Sequence, residues 1–208
     1  VIPSSPLVFL DANVLYSRTL RDWICLLALE SAYDLRYSED VLAEWMYRLR
    51  RKRPELSEHA IGGQRRKFVA AFPDGMVTGY SPGSVPCPPD PDDRHVLAAA
   101  IHGGVDVLVT NDRQGREAFP PECVRDRLEV HTADEFLDHV AGDSMAPVWR
   151  VMAKQLDYYR RTRGIDDYTE AELVAFLRKA GAARFAERLE RLPSRPERLA
   201  SRRRTGAE

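Results

Sequence analysis

The chain has 208 residues, of which 44% are hydrophobic and 30% charged, with a formal net charge of −1 at pH 7. Those values fit one globular domain with an extension and exclude a disordered chain class. No apolar run approaches the roughly 18 residues that a membrane span requires, so no membrane partner is expected. The opening VIPSSPLVFL has no basic region and no small-residue cleavage site. No signal peptide is therefore expected, and a cytoplasmic location is. Cys25, Cys87 and Cys123 lack CxxC spacing, which argues for reduced thiols and against a disulfide frame or a structural zinc site.

Leu7–Leu10 is a short, wholly apolar run that fits a strand buried on both faces of a parallel sheet, and Asp11 follows at its carboxyl end. Open α/β sheets place ligands at that edge. Leu20, Ile24, Leu27 and Ala28 recur at helical spacing and predict a helix over about Thr19–Tyr33, followed by a brief strand at Leu35–Tyr37. Ser38 is a good N-cap, and a helix runs from there to about Arg53, where Pro54 stops it. Val41, Leu42, Trp45 and Leu49 form its buried face. Glu44 lies on the flank, and its plain reading is a surface pair with Arg48 one turn on. A further helix is predicted over Ser57–Phe72 despite Gly62-Gly63, and a strand over Met76–Tyr80.

Residues 81–92 contain five prolines and read as loop. The stretch Asp90–Asp112, DPDDRHVLAAAIHGGVDVLVTND, then holds an acidic cluster, a helix from Asp93 to His102, a Gly-Gly turn, a strand over Val105–Thr110 and a last aspartate at the strand end. On a helix of 3.6 residues per turn, Asp93 shares a side with Val96, Leu97 and Ala100 and so points towards the core. A carboxylate there is costly to desolvate without a cation or a donor beside it. Leu128–His131 reads as a short edge strand, and Thr132–Glu135 as a capping box opening a helix to about Ala141. Beyond Gly142 only helix patterns follow. Val148, Met152, Leu156 and Tyr159 form one stripe, Thr169–Glu172 is a second capping box, and Ala183–Leu192 is a last helix. The closing SRPERLASRRRTGAE is basic, poor in apolar groups and expected to be disordered.

Asp11, Asp93 and Asp112 all map to one sheet edge. Two like charges about 4 Å apart repel by about 4 kcal/mol at an effective dielectric near 20, so one stays protonated or a cation joins them. Oxygen-only ligands suit Mg²⁺ or Mn²⁺, and such a site serves in-line attack of water on a phosphodiester. Each acid also has a local explanation: Asp11 or Asn13 as helix N-cap, Asp92 and Asp93 as cap and first-turn acids, Asp112 as a turn residue. Three separate loops placing acids on one edge favour the joint reading. Asp90 and Asp92 compete with Asp93 as ligands, and Asn13, Thr110 and Asn111 are candidate supporting residues.

Charge is unevenly spread. Residues 1–142 carry 16 Lys+Arg against 22 Asp+Glu, and residues 143–208 carry 15 against 10. Within the acidic part, Arg48, Arg50, Arg51, Lys52, Arg53, Arg65, Arg66 and Lys67 place eight cations in twenty residues. That strip is either an RNA-backbone contact or a solvated helix face.

The ordered set VFLDANVL, SEDVLAEW, DPDDRHVLAAAI and VLVTND resembles the PIN-domain ribonucleases, most of all the VapC-type toxins of bacterial toxin–antitoxin pairs. The resemblance spans about residues 6–140. It implies a three-layer α/β/α sandwich around a parallel sheet over residues 1–142; the helical extension over 143–192 and the basic tail over 193–208 are read from the sequence pattern and lie outside the resemblance. It also implies an Mg²⁺- or Mn²⁺-dependent endoribonuclease in which Asp11, Glu44, Asp93 and Asp112 are the four family acids. Asp11, Asp93 and Asp112 would hold metal, with Glu44, Asp90 and Asp92 as further candidate ligands. RNA as substrate, a cognate antitoxin and a homodimer are the partners it suggests. Two other readings stand beside it. A haloacid-dehalogenase-like phosphatase would want an acid at position 13, where this chain has Asn13, and a non-catalytic RNA- or protein-binding module would not need four acids.

Overall fold

The computed structural model describes residues 5–85, 90–112, 117–124, 128–163 and 168–191. Five parallel strands, β1 (Leu7–Leu10), β2 (Asp34–Ser38), β3 (Met76–Val77), β4 (Val107–Val109) and β5 (Glu129–His131), form one sheet in the order β3-β2-β1-β4-β5. The chain winds outward from β1 through β2 to β3, then returns to the other side of β1 for β4 and β5. That reversal puts a topological switch point between β1 and β4, where a crevice opens beyond the carboxyl ends of the strands. The pairing Phe9 to Leu108 and Leu10 to Val109 brings the ends of β1 and β4 level. Asp11 N–H extends the ladder by donating to Val109 O at 3.0 Å.

The central strands are apolar because both faces are covered: Val8, Phe9, Leu10, Val107, Leu108 and Val109 are all fully buried. Helices α1 (Ala12–Tyr16) and α2 (Arg18–Leu29) follow β1, and α3 (Glu39–Lys52) and α4 (Glu58–Ala71) follow β2. Then come α5 (Arg94–His102) before β4, the short α6 (Pro121–Val124), and α7 (Ala133–Asp143) after β5. The arrangement is the doubly wound α/β/α sandwich expected from the sequence. Ser38 and Ser57 cap α3 and α4 by accepting from Val41 N and Ala60 N, and Thr132 with Glu135 closes the capping box of α7.

Three boundaries differ from the sequence reading. The predicted Thr19–Tyr33 helix is α2, which Ser31 at φ 60° ends early; Ser17, at φ −72° and ψ 107°, separates it from the short α1, which was not predicted. Tyr33 is thus off the helix, buried, with its hydroxyl donating to Ile24 O at 2.6 Å. The predicted Met76–Tyr80 strand stops at Val77, ahead of Gly79 at φ 79°, a left-handed conformation that suits glycine. The strand predicted over Val105–Thr110 pairs only over Val107–Val109.

After residue 142 the chain forms α8 (Met145–Arg163), α9 (Glu170–Lys179) and α10 (Ala183–Arg191). Val148, Met152 and Leu156 of the predicted stripe are buried, α8 packs on α2 and α7, and α10 packs on α9 and α7. Trp23 of α2 meets Phe185 of α10 edge-on at 5.3 Å between ring centroids. Asp134 of α7 accepts from Arg184 N at 3.1 Å and Phe185 N at 3.0 Å, supplying partners for the open N–H groups that begin α10. Asp138 takes Arg188 in a two-pronged pair. The predicted basic tail and Leu192 lie outside the described residues. Among the described residues no helix is long and apolar enough to cross a membrane.

Candidate active site

The switch point between β1 and β4 is tied together by one hydrogen-bonded network. Asp11, the first residue past β1, is only 4% exposed. It makes no side-chain capping bond to α1, so its position is not explained as a helix cap. Its Oδ2 instead accepts from Thr110 Oγ1 at 2.6 Å and Asn13 Nδ2 at 2.7 Å. Asn13 Nδ2 also reaches Thr110 Oγ1 at 3.0 Å, while Asn13 Oδ1 accepts from Asn111 N at 2.9 Å. Thr110 Oγ1 accepts from Asp112 N at 3.1 Å, and Asn111 Oδ1 accepts from Ala133 N at 2.9 Å, fixing the start of α7. Asn13, Thr110 and Asn111, the three predicted supporting residues, therefore lock the loop after β4 against Asp11. An amide at position 13 is used as a donor to Asp11, a role that a second acid there could not fill while ionised.

The remaining acids arrive from two helices. A proline-led 3₁₀ turn, Pro91–Asp93, runs into α5, and Asp90 caps it by accepting from Asp92 N at 3.0 Å. Asp92 is exposed, and its carbonyl oxygen bonds His95 Nδ1 at 2.7 Å. Asp93 is half-buried, as its helical phase predicted. Burial and then the neighbouring charges of Asp11, Asp112, Asp90 and Glu44 push its carboxyl up to about 6. Asp11 is also raised, mainly by burial and further by Glu44, with the Thr110 hydroxyl and Arg48 acting in the opposite direction. Acids from α3, from the turn before α5 and from the ends of β1 and β4 thus sense one another across one crevice. Of the three adjacent aspartates, Asp93 faces this group, Asp90 stands beside it with a capping bond, and Asp92 faces solvent.

Glu44 makes the surface pair that its spacing predicted, and its charge also reaches the crevice. It pairs with Arg48 at 2.5 Å on α3, and its charge reaches Asp11 and Asp93. His95, one helical step beyond the acidic turn, was not singled out from the sequence. Its Nε2 is buried, has no hydrogen-bond partner among the described residues, and stands 3.7 Å from Glu44 Oε2. The available signal was its place two residues after Asp93, on the first turn of α5.

The predicted basic strip divides into two. Arg48 belongs to the acidic crevice. Arg50, Arg51, Lys52 and Arg53 lie roughly 9–14 Å further along α3 from Glu44. Arg50 is held by Glu58 at 2.9 Å, Arg53 by Glu55, and Arg65 by Glu39 at 2.7 Å. Arg51 lies over the Tyr47 ring at 5.7 Å. Lys52, Arg66 and Lys67 are exposed.

The donor set is one of hard oxygens, which fits Mg²⁺ or Mn²⁺ and not zinc. Among the described residues, however, no three His, Cys, Asp or Glu side chains are grouped closely enough to hold one metal ion as they stand.

Comparison with curated proteins and with solved structures gave no match. A family model described as PIN domain matches residues 7–114, which takes in Asp11, Glu44, Asp93 and Asp112. That match covers more than half of the chain, so the chain belongs to the PIN-domain family, whose members are generally metal-dependent nucleases.

Proposed function

We propose that this chain is an endoribonuclease dependent on Mg²⁺ or Mn²⁺, and that it acts as the toxin of a toxin–antitoxin pair. The observation that carries the nuclease reading is that Asp11, Glu44, Asp93 and Asp112 come from four separate segments to the β1/β4 crevice, where burial first, and then like charge, raises Asp93 and Asp11. Asp11, Asp93 and Asp112 would hold the cation, with Asp90 close enough to assist. A divalent cation bound there would supply positive charge at the scissile phosphate and lower the cost of the developing negative charge.

The chain's own residues do the rest. Thr110 and Asn13 keep Asp11 aimed into the crevice, and the Thr110 hydroxyl offsets part of the rise that burial imposes on its carboxyl. Glu44 would take a proton from the attacking water, with Arg48 fixing its carboxylate and His95 Nε2 facing it at 3.7 Å. RNA is the proposed substrate, approached through its phosphates, and the exposed Lys52, Arg66 and Lys67 would contact flanking backbone. A cognate antitoxin and a homodimer are proposed partners of the toxin role.

The test is cleavage of single-stranded RNA by the purified chain with Mn²⁺, Mg²⁺ or chelator, beside Asp11→Asn. Metal-dependent cleavage that falls at least ~100-fold in the variant, with an unchanged circular-dichroism spectrum, is expected. Equal cleavage by both proteins would remove Asp11 from the mechanism. Growth arrest on expression in bacteria, absent for Asp11→Asn, is the expected readout of the toxin role.

A further inference from the structure

A second concavity lies away from the carboxylates. It is a cleft of about 620 Å³ between α1 and α2, the α3–α4 turn and α8. Leu49 of α3 and Arg53 just past its end form one wall, whereas Glu44 and Arg48 face the crevice. The step from Glu44 to Leu49 is roughly 140° around a helix, so the two concavities use different sides of α3.

Its lining is built from named chemistry. Gln155 of α8 is 5% exposed, lines the cleft, and has no hydrogen bond to its side-chain amide among the described residues. The amide opens onto the cleft and offers a donor and an acceptor side by side. Arg21 is held in place, its Nη1 donating to Leu15 O at 2.8 Å and its guanidinium 5.1 Å from the Trp45 ring. Arg18 donates to the Tyr158 hydroxyl at 3.1 Å. With Arg53 this makes three guanidinium groups, against Asp22 as the one acid of the lining among the described residues. Leu26, Leu49 and Leu56 supply apolar surface, and Tyr16 and Tyr158 supply ring faces.

Guanidinium forks match phosphate oxygens in two-pronged geometry, and an amide with both donor and acceptor facing the cleft matches the edge of a nucleobase. Ring and leucine surfaces suit the flat face of such a base. The volume lies within the roughly 300–1,000 Å³ typical of small-ligand sites, far more than one phosphate fills. We propose that this cleft is a second ligand site, taking a mononucleotide-sized molecule whose phosphate meets Arg18, Arg21 and Arg53 and whose base edge meets Gln155. Because α8 contributes Gln155, the site joins the C-terminal helices to the α/β core, and a bound nucleotide would stabilise that junction.

The test is isothermal titration of the full chain with AMP, UMP and inorganic phosphate in metal-free buffer, with the Gln155 side-chain amide followed by NMR. At least one nucleotide is expected to saturate and to shift the Gln155 amide signals, with phosphate binding at least tenfold more weakly. Gln155→Leu and Arg18→Ala should each weaken nucleotide binding about tenfold, and Asp11→Asn should leave it unchanged. The Arg18 side chain is 62% exposed, so its variant reports even where Gln155→Leu fails to fold. The proposal is overturned by failure of both nucleotides to saturate, by phosphate binding as tightly as the nucleotides, by unchanged affinity in folded Gln155→Leu or in Arg18→Ala, or by loss of binding in Asp11→Asn. RNA cleavage is read separately, so this outcome stands apart from that of the nuclease assay.

Discussion

Thr110 is the residue on which the carboxylate crevice hinges, and a pair of substitutions there separates its hydroxyl from its shape. The side chain is fully buried, and the hydroxyl makes three contacts: it donates to Asp11 Oδ2 at 2.6 Å and accepts from Asn13 Nδ2 at 3.0 Å and Asp112 N at 3.1 Å. Thr110→Val keeps the volume and removes all three. A hydrogen bond to an ionised group contributes about 1.5–3 kcal/mol, and a buried N–H left without a partner costs about 1–3 kcal/mol more. Asn13 keeps its direct bond to Asp11, and valine adds a little apolar burial, so the net loss should be about 2–3 kcal/mol. Thr110→Ser keeps the hydroxyl and loses one buried methyl, about 1 kcal/mol. Urea denaturation followed by tryptophan fluorescence should therefore rank wild type above Ser and Ser above Val. Because the Thr110 hydroxyl acts to lower the Asp11 carboxyl, only the Val variant should also move the acidic limb of the cleavage profile to higher pH. A Val variant as stable as wild type, or more stable than Ser, with an unshifted profile, would refute the role given to the hydroxyl.

Two further outcomes follow from the same geometry. Asp93 is raised from 3.8 to about 6, so its contribution to folding is fully present below about pH 4 and is lost as pH rises through about 6. The metal-free protein should lose about 1–2 kcal/mol from this group between pH 5 and 7, a figure reduced for a carboxyl open to solvent on one side. Added Mn²⁺ should flatten that trend, and a metal-free stability that rises with pH across this window would contradict the sign. At the other end of the chain, Asp134→Ala removes the acceptor for Arg184 N and Phe185 N and should cost about 1–2 kcal/mol, the scale of a lost helix cap. Hydrogen exchange should show the loss first at the amides of α10, and unchanged protection there would mean that apolar contacts such as Trp23–Phe185 hold the helix unaided.

What could be read from the sequence, and what could not, divides along a physical line. Strands wholly buried in a parallel sheet must be apolar throughout, so the first acid after VFL or VLV marks the strand end, and all such ends lie on one edge. Asp11 and Asp112 were legible for that reason, and Asp93 because helical phase turns it inward. The separate short helix α1, ended by Ser17, and the left-handed Ser31 were not legible, since serine fits a helix as readily as it ends one and neither position has the glycine or proline that announces a stop. His95 and Gln155 escaped for a different reason. Each matters through a partner or a cavity wall far away in sequence, Glu44 in one case and the α2–α3 surface in the other. Glu44 shows why the two kinds of reading need not compete. Its i,i+4 pair with Arg48 is the local contact that the sequence predicts, and that pair also places a guanidinium where its charge acts on Asp11. A surface salt bridge contributes little to stability. Here the cation instead offsets part of the repulsion among the acids, so replacing Arg48 with a neutral residue should disturb the crevice more than the fold.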